Sequence, residues 1–202
     1  MKEFWNERYT GSEFAYGKKP NEFLVAEYHR IKPGRVLCLA EGEGRNASFL
    51  ASKGFIVTAV DQSKQGLEKT IALGKEIGVE ITIIEADLEN FEIAPSYWDG
   101  IVSISAHLPP LIRKIVHRQV VSGIKPGGVL ILEAYTEKHL EMPGIGGPPA
   151  NQKEMFMSLS ELEIELAGLD FVIAKETERN FNEGQYHQGL SAIVQVVAER
   201  AA

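Results

Sequence analysis

Residues 35–61 read RVLCLAEGEGRNASFLASKGFIVTAVD, two apolar runs separated by a glycine turn and a helical pattern. The runs at 35–42 and 55–61 lack strict alternation of polar and apolar residues, which indicates strands buried on both faces. Between them the pattern predicts a helix over 46–53, followed by Gly54, a residue typical of the position just after a helix. This stretch therefore predicts one β–α–β unit of a parallel sheet.

The same alternation continues along the rest of the chain. Further strands are predicted at 80–88, 99–107, 127–136, 171–179 and 190–199. Further helices are predicted after Pro20, at 63–77, at 109–124 and after Ser158, which forms an S-x-x-E capping box with Glu161. The repeated pattern predicts helices on both faces of a parallel sheet.

The last two strands have no helix between them. The segment that joins them contains Asn182-Glu183-Gly184, a turn signal, so the two strands are expected to form an antiparallel hairpin. We therefore predict an α/β fold with a doubly wound, mostly parallel seven-stranded sheet and a C-terminal antiparallel hairpin. Residues 1–202 show no linker and are expected to form one domain.

Composition narrows the class of protein. The formal net charge is −7. An acidic chain gains little binding free energy from the phosphate backbone of a nucleic acid, so we expect no nucleic-acid partner. Cys38 is the only cysteine and lies in an apolar run, and the histidines lack zinc-ligand spacing, so we expect neither a disulfide nor a metal site. We predict a cytoplasmic protein without a membrane segment, because we find no signal peptide and no long apolar stretch.

The glycine turn carries the strongest chemical signal. Gly42 and Gly44 permit a tight turn and a close approach to a ligand, and the following helix would direct its N-terminal N–H groups at that ligand. Asp61 ends the next strand, 19 residues after Gly42, where an acid can accept hydrogen bonds from ribose hydroxyls. The alternatives are a purely structural turn and an N-cap role for Asp61.

Charge separates two nucleoside cofactors. Glu41 and Glu43 flank Gly42, so a pyrophosphate at this turn would meet two carboxylates, only partly offset by Arg45. S-adenosylmethionine carries no phosphate, and its sulfonium and ammonium groups suit an acidic loop. The turn therefore favours S-adenosylmethionine over NAD.

Polar groups also follow the third and fourth strands. Asp87 ends the third strand, where its carboxylate could accept a hydrogen bond from an adenine amino group. His107 ends the fourth strand and could orient an acceptor or take its proton, because an unperturbed histidine has a pKa of about 6.5. The alternatives are a solvated loop acid for Asp87 and a merely packed ring for His107.

The chain resembles the class I S-adenosylmethionine-dependent methyltransferases over roughly residues 20–200. Their first motif, D-x-G-x-G-x-G, aligns on CLAEGEG with Cys38 at the Asp and Ala40 at the first Gly. Within the family, the residues WNERY at 5–9, YGKKPN at 16–21, EGEGRN at 41–46 and GGPP at 146–149 are most similar to a small bacterial tellurite-resistance or thiopurine-type branch.

The resemblance implies S-adenosylmethionine as cofactor and a set of contacts to it. The implied cofactor-binding residues are Tyr16, Ala40, Glu41, Gly42, Gly44, Asp61, Gln62, Ala86, Asp87, Leu88 and Ser105. His107 is the implied catalytic residue. The implied reaction is methyl transfer to a small-molecule acceptor through an oxygen, nitrogen, sulfur or chalcogen atom. A non-catalytic S-adenosylmethionine-binding regulator and, less readily, an NAD-dependent oxidoreductase remain alternatives.

Two segments lie outside this scheme. Residues 1–31 are expected to form an N-terminal cap and helix, in which Trp5, Tyr9 and Tyr16 fold over the cofactor although the first 20 residues show no clear helical period. Residues 137–157 form a long loop with several glycines, which is typical of an active-site lid. We expect both segments to be mobile without ligand.

Overall fold

Seven strands and six α-helices follow the predicted alternation in the computed structural model, which describes residues 2–202. The strands are β1 (Arg35–Leu39), β2 (Ile56–Asp61), β3 (Thr82–Glu85), β4 (Trp98–Ile104), β5 (Ile124–Tyr135), β6 (Asp170–Glu183) and β7 (His187–Glu199). The α-helices are α1 (Lys2–Arg8), α2 (Glu22–Glu27), α3 (Arg45–Ser52), α4 (Lys64–Ile77), α5 (Pro110–Gly123) and α6 (Leu159–Glu165). Short 3₁₀ helices occupy Tyr28–Arg30, Glu137–Glu141 and Ala150–Met155.

All seven strands form one sheet in the order β3-β2-β1-β4-β5-β7-β6. Strands β1 to β5 pair in parallel, and β7 is antiparallel to both of its neighbours, β5 and β6. The predicted α/β fold with a C-terminal antiparallel hairpin is therefore confirmed. Strand order reverses between β1 and β4, and a crevice at such a switch point is the usual ligand site of this sheet type.

Both faces of the sheet are buried, which explains the lack of alternation in the strand sequences. In β1, Leu37 and Leu39 pack in a cluster with α5 and α6, while Val36 and Cys38 pack in a second cluster with α2 and α3. Burial raises the pKa of the Cys38 thiol well above its usual range, so this cysteine is a small core residue.

The N-terminal prediction needs a correction, because Lys2–Arg8 is helical although its sequence shows no clear period. Trp5 stacks on Tyr9 with ring centroids 5.6 Å apart, and the Ser63 hydroxyl donates to Asn6 Oδ1 at 2.7 Å. Such tertiary contacts stabilise a short helix that would be marginal alone. The hairpin turn also differs from the prediction, because strand pairing continues through Glu183 opposite His187 and the turn lies at 184–186.

The predicted capping box is confirmed. The Ser158 side chain accepts from the backbone N–H of Glu161, and the Glu161 side chain accepts from the backbone N–H of Ser158. A separate result concerns membranes: across residues 2–202, the structure contains no helix with the length and apolar character needed to span a bilayer.

Candidate active site

A cavity of about 580 Å³ opens at the carboxyl ends of β1, β2 and β4, beside the switch point. It is covered by α1 and Tyr16 on one side and by residues 145–149 on another. The predicted site residues among its walls are Tyr16, Ala40, Glu41, Asp61, Gln62, Ala86, Asp87, Leu88, Ser105 and His107. The structure thus brings these residues together, while their roles in ligand binding stay predictions.

Gly42 and Gly44, the two glycines of the turn, are not among the cavity walls. Both have left-handed backbones, with φ of 65° and 85°. A Cβ atom at Gly42 would lie 2.6 Å from the Tyr9 hydroxyl, and one at Gly44 would lie 2.6 Å from the Thr70 hydroxyl. The missing side chains therefore make room for α4 and for Tyr9, rather than for a ligand as we predicted.

Among residues 2–202, three residues other than glycine have left-handed backbones, and two of them line the cavity. Ala40 follows β1 with φ of 47°, and Ser105 follows β4 with φ of 55°. Such strained conformations cluster at ligand sites, where the surrounding structure enforces them. Here they flank the point where strand order reverses.

Asp61 ties the glycine turn to the end of β2. Its Oδ2 accepts from the Gly42 N–H at 2.8 Å, and its Oδ1 accepts from the Ser63 N–H at 2.7 Å. Burial raises the pKa of this carboxyl, although the backbone donors favour its ionised form. The N-cap of α4 is Ser63, so the alternative that Asp61 caps this helix is wrong. Each carboxylate oxygen retains a lone pair for a ligand hydroxyl.

Glu41 occupies the N-terminus of α3 with its own carboxylate. Its Oε1 accepts from the backbone N–H groups of Asn46 and Ala47, at 3.0 and 2.8 Å. These amides are the donors that bind a pyrophosphate in dinucleotide folds. Burial raises the pKa of Glu41 to about 7, with the two amides opposing the rise.

Glu43, by contrast, does not face the cavity. It is buried against α4, where its Oε1 lies 2.7 Å from Lys69 Nζ, and its Oε2 accepts from the Tyr16 N–H at 3.4 Å. The expectation that both turn acids would meet a ligand is therefore wrong for Glu43. Its side chain fixes Tyr16, a wall residue, to the turn.

His107 has both ring nitrogens engaged with the backbone. Nδ1 lies 2.9 Å from the Met155 carbonyl oxygen and donates to it, while Nε2 accepts from the Tyr135 N–H at 3.2 Å. Burial lowers the pKa of His107 to about 4, so the ring is neutral at pH 7. This geometry leaves no lone pair for an acceptor proton. The catalytic role of His107 stays a prediction, and these contacts favour a positioning role that joins the ends of β4 and β5 to the loop at Met155.

The structure adds wall residues that sequence reasoning missed. The Arg8 guanidinium lies 3.8 Å from the centre of the Tyr186 ring and donates to the Tyr16 hydroxyl at 3.3 Å. Tyr186 and His187, at the tip of the β6–β7 hairpin, also line the cavity. Their position beside the predicted turn at Asn182-Glu183-Gly184 was the available signal, but only the folded structure shows that this tip reaches the cavity.

A buried polar network supports the hairpin tip. Glu183 contacts Arg45 and Arg179, each at 2.8 Å, and Arg179 also contacts Glu133 at 2.8 Å. The network connects α3, β5 and β6 directly behind the cavity. Because Arg45 is committed to Glu183, it is not free to neutralise an anion at the glycine turn.

Comparisons with known proteins agree with this geometry. Residues 36–128, which span β1 to the early part of β5, match the family model described as a methyltransferase domain. The ubiquinone biosynthesis O-methyltransferase of Rickettsia canadensis is 29% identical over 113 residues, covering 55% of this chain and 47% of that relative. The chain thus spans about half the length of the curated relatives that it matches.

Two solved structures share the fold across nearly the whole chain. A protein studied for the conversion of a disulfide bond into a thioacetal group during echinomycin biosynthesis has a TM-score of 0.77 at 16% identity, covering 100% of this chain and 92% of its own. TehB from Haemophilus influenzae has a TM-score of 0.73 at 17% identity, covering 98% of this chain and 66% of its own.

Identities this low establish the fold alone, so the narrower resemblance to the tellurite-resistance or thiopurine-type branch stays a prediction. The family-model match covers the part of the sheet that builds the cavity, from β1 through the switch point to β4. Sheet order, cavity position and this match agree: residues 36–128 match the methyltransferase-domain family, and the chain shares its fold with solved methyltransferase structures.

Proposed function

We propose that the chain transfers a methyl group from S-adenosylmethionine to a small-molecule acceptor. The observation that carries the proposal is the Glu41 carboxylate on the first-turn amides of α3, next to the cavity-lining Asp61. In this arrangement Asp61 can accept hydrogen bonds from the hydroxyls of a ribose. The first-turn amides of α3 are already bound by Glu41, so they are not free to bind a phosphate. The site therefore suits a nucleoside without phosphates.

Unpaired polar atoms in the walls support the fit of this cofactor. Gln62 Oε1 is buried, lines the cavity and has no hydrogen-bond partner anywhere in residues 2–202. We assign Asp61 to the ribose hydroxyls, Asp87 and Leu88 to the adenine, and Glu41 with Tyr16 to the methionine end. When bound, S-adenosylmethionine supplies an electrophilic methyl group on a sulfonium sulfur.

The other end of the cavity has apolar walls that suit a small organic acceptor. Leu108, Ile112 and Met155 form one side of it, and Pro148 and Pro149 form part of another. These residues would orient the acceptor and exclude water. Positioning and exclusion of water contribute much of the rate acceleration of a direct displacement. The net charge of −7 further supports a small molecule rather than a nucleic acid as acceptor.

Calorimetry with three ligands tests the cofactor assignment. We expect S-adenosylmethionine and S-adenosylhomocysteine to bind, and NAD to bind at least roughly 100-fold more weakly, because a like charge at Glu41 costs several kcal/mol. A screen of phenols, thiols, amines and chalcogen oxyanions, read out as S-adenosylhomocysteine formed, tests turnover. NAD binding as tight as that of S-adenosylmethionine would contradict the assignment.

A second candidate function is a regulator that binds S-adenosylmethionine without turnover. The engagement of both His107 nitrogens with the backbone favours it, because the residue predicted to take the acceptor proton has no free lone pair. Binding of S-adenosylhomocysteine without product from any acceptor in the screen would support this second function over the first.

The ionisation of Glu41 gives the cofactor site a pH dependence. The pKa of Glu41 is raised to about 7, so the fraction of ionised carboxylate rises between pH 6 and pH 8. We expect affinity for S-adenosylmethionine to rise over the same interval, because the ionised form attracts the ligand's cationic groups. S-adenosylhomocysteine lacks the sulfonium charge, so its affinity should rise less.

Calorimetry at several pH values measures this slope, and Glu41→Gln is the control. The glutamine side chain keeps an acceptor oxygen for the α3 amides but does not titrate, so its slope should be nearly flat. An equally steep slope in Glu41→Gln would show that another group is responsible.

A further inference from the structure

His187, the first residue of β7, presents one edge of its ring to the cavity. The residue is 6% exposed and lines the cavity next to the hairpin turn. Its Nδ1 is buried, makes no hydrogen bond and lies 3.5 Å from Glu183 Oε2, an ion-pair distance. Within residues 2–202, Nε2 also accepts no hydrogen bond and, unlike Nδ1, is not among the buried unpartnered atoms. Because the Nδ1 edge is covered by Glu183, the edge that carries Nε2 is the accessible one.

Glu183 fixes the tautomer of this histidine. Burial opposes ionisation of Glu183, but His187, Arg45 and Arg179 outweigh burial and hold the pKa of the carboxyl well below its usual range. An ionised carboxylate beside Nδ1 favours a proton on Nδ1 and leaves the Nε2 lone pair free. The 3.5 Å separation is loose, as contacts of this kind often are before a ligand binds.

His187 is unprotonated at neutral pH. Burial lowers the pKa of the ring, Glu183 opposes that shift, and Arg45 and Arg179 add to it. The other titratable groups that face the ring are Tyr16 from the N-terminal segment, Tyr135 from β5 and His107 after β4. The two tyrosines have raised pKa values and stay neutral, so Glu183 is the one anion among residues 2–202 in direct contact with the ring.

The ring also lies at the acceptor end of the cavity. Its centroid is 5.4 Å from that of Tyr135, and Tyr135 in turn packs under Gly146 in the segment that covers this end. The next residue, Gln188, exchanges backbone hydrogen bonds with Ile145 of the same segment. His187 therefore faces the region where we place the acceptor, unlike Asp61 and Gln62.

We propose that His187 is the catalytic base of this site, that Glu183 is its positioning residue, and that the acceptor is a hydroxyl or thiol compound. This inference rests on the proposed methyl transfer. The acceptor atom forms a bond to the methyl carbon, and the carbon–sulfur bond breaks with its electron pair left on sulfur. The proton of the acceptor passes to Nε2 and then to solvent. The selenium or tellurium atom of a chalcogen oxyanion attacks through a lone pair and carries no proton, so its methylation would not need this base.

Kinetics with two phenols test the role of His187. In His187→Gln, we expect kcat on phenol to fall by about 10²–10⁴-fold, the usual contribution of general base catalysis. A nitrophenol that is already ionised at pH 9 should lose far less activity in the same variant. His29→Gln, a change at an exposed histidine of the 3₁₀ helix Tyr28–Arg30 that does not line the cavity, is the matched control and should leave both rates unchanged.

Glu183→Gln tests the positioning role. Removing the carboxylate takes away the group that raises the pKa of His187, so the acidic limb of the kcat profile should move to lower pH. A merely structural role would lower kcat without moving that limb. S-adenosylhomocysteine binding, measured by calorimetry, should persist in both variants, because neither residue is among those assigned to the cofactor.

Chemical modification gives a readout that needs no acceptor. Diethyl pyrocarbonate should modify His187 in the free protein, S-adenosylhomocysteine should slow that modification, and His107 should resist it because both its nitrogens are engaged. The inference is overturned if His187 stays unmodified, if His187→Gln methylates phenol normally, or if wild-type protein methylates only selenite or tellurite. Failure of the wild-type protein to bind S-adenosylhomocysteine would instead contradict the proposed function.

Discussion

Replacing Arg113 with methionine is expected to lower the free energy of unfolding by about 3–5 kcal/mol, the usual cost of removing one partner from a buried ion pair. Arg113 lies on α5 and is 1% exposed. It donates to Glu165 at 2.9 Å and to the Phe156 carbonyl oxygen at 2.9 Å. Its loss would leave the Glu165 carboxylate buried, with the His117 ring at 2.7 Å as its remaining close contact.

Equilibrium urea unfolding of Arg113→Met and of the double variant Arg113→Met/Glu165→Leu measures this effect. The double variant should recover much of the lost stability, because an apolar pair can replace a buried ion pair at little cost. Arg113 also fixes the carbonyl that precedes Met157, so the single variant should loosen the wall at Met155. A loss below about 1 kcal/mol in the single variant would show that water reaches Glu165 after the change.

Replacing Asp61 with alanine is expected to weaken S-adenosylhomocysteine binding by about 1.5–3 kcal/mol, the range for hydrogen bonds to a charged group. The carboxylate keeps lone pairs for a ribose after its two backbone contacts are made. Asp61 is the last residue of β2, so we expect the fold to survive its removal. Calorimetry measures the affinity, and thermal unfolding checks the fold.

Asp170→Ala is the matched control for Asp61→Ala. Asp170 is an exposed acid at the start of β6 and does not line the cavity, so its removal should leave the affinity unchanged. Unchanged affinity in a well-folded Asp61→Ala protein would remove Asp61 from the cofactor site and leave it a purely structural link between β2 and the glycine turn.

The sheet was predictable because each strand carries its own local signal. The unbroken apolar runs predict strands buried on both faces, and the capping box at Ser158 predicts the start of α6. Asp61 was predictable for the same reason, since a strand end next to the switch point has a fixed position in this fold. Signals of this kind depend only on neighbours in the chain.

The details that sequence reasoning missed depend on contacts between distant residues. Glu41 and Glu43 are chemically alike in the sequence, but α3 binds the first and Lys69 on α4 pairs with the second. The two histidines, His107 and His187, are also alike in the sequence. Only the packing shows that the backbone of Met155 and Tyr135 engages both ring nitrogens of His107. The ring nitrogens of His187 make no such hydrogen bonds within residues 2–202. Side-chain direction follows from tertiary packing, which short sequence patterns do not specify.

The cavity is covered by the 144–145 segment and by helix α1, and these two elements differ in the number of backbone hydrogen bonds that hold them. This difference indicates which of them opens when a ligand enters or leaves. The 144–145 segment is joined to β7 by three backbone hydrogen bonds, of Gly144 to Leu190 and of Ile145 with Gln188. Helix α1 is held by side-chain contacts, such as Lys2 with Glu85 and Asn6 with Ser63. Unwinding one short helix breaks fewer backbone hydrogen bonds to the rest of the fold than separating the 144–145 segment from β7. We therefore expect the unwinding of α1 to govern the residence time of a bound nucleoside. Helix-favouring substitutions at positions of α1 that do not line the cavity, such as Glu3 and Glu7, should lengthen that time.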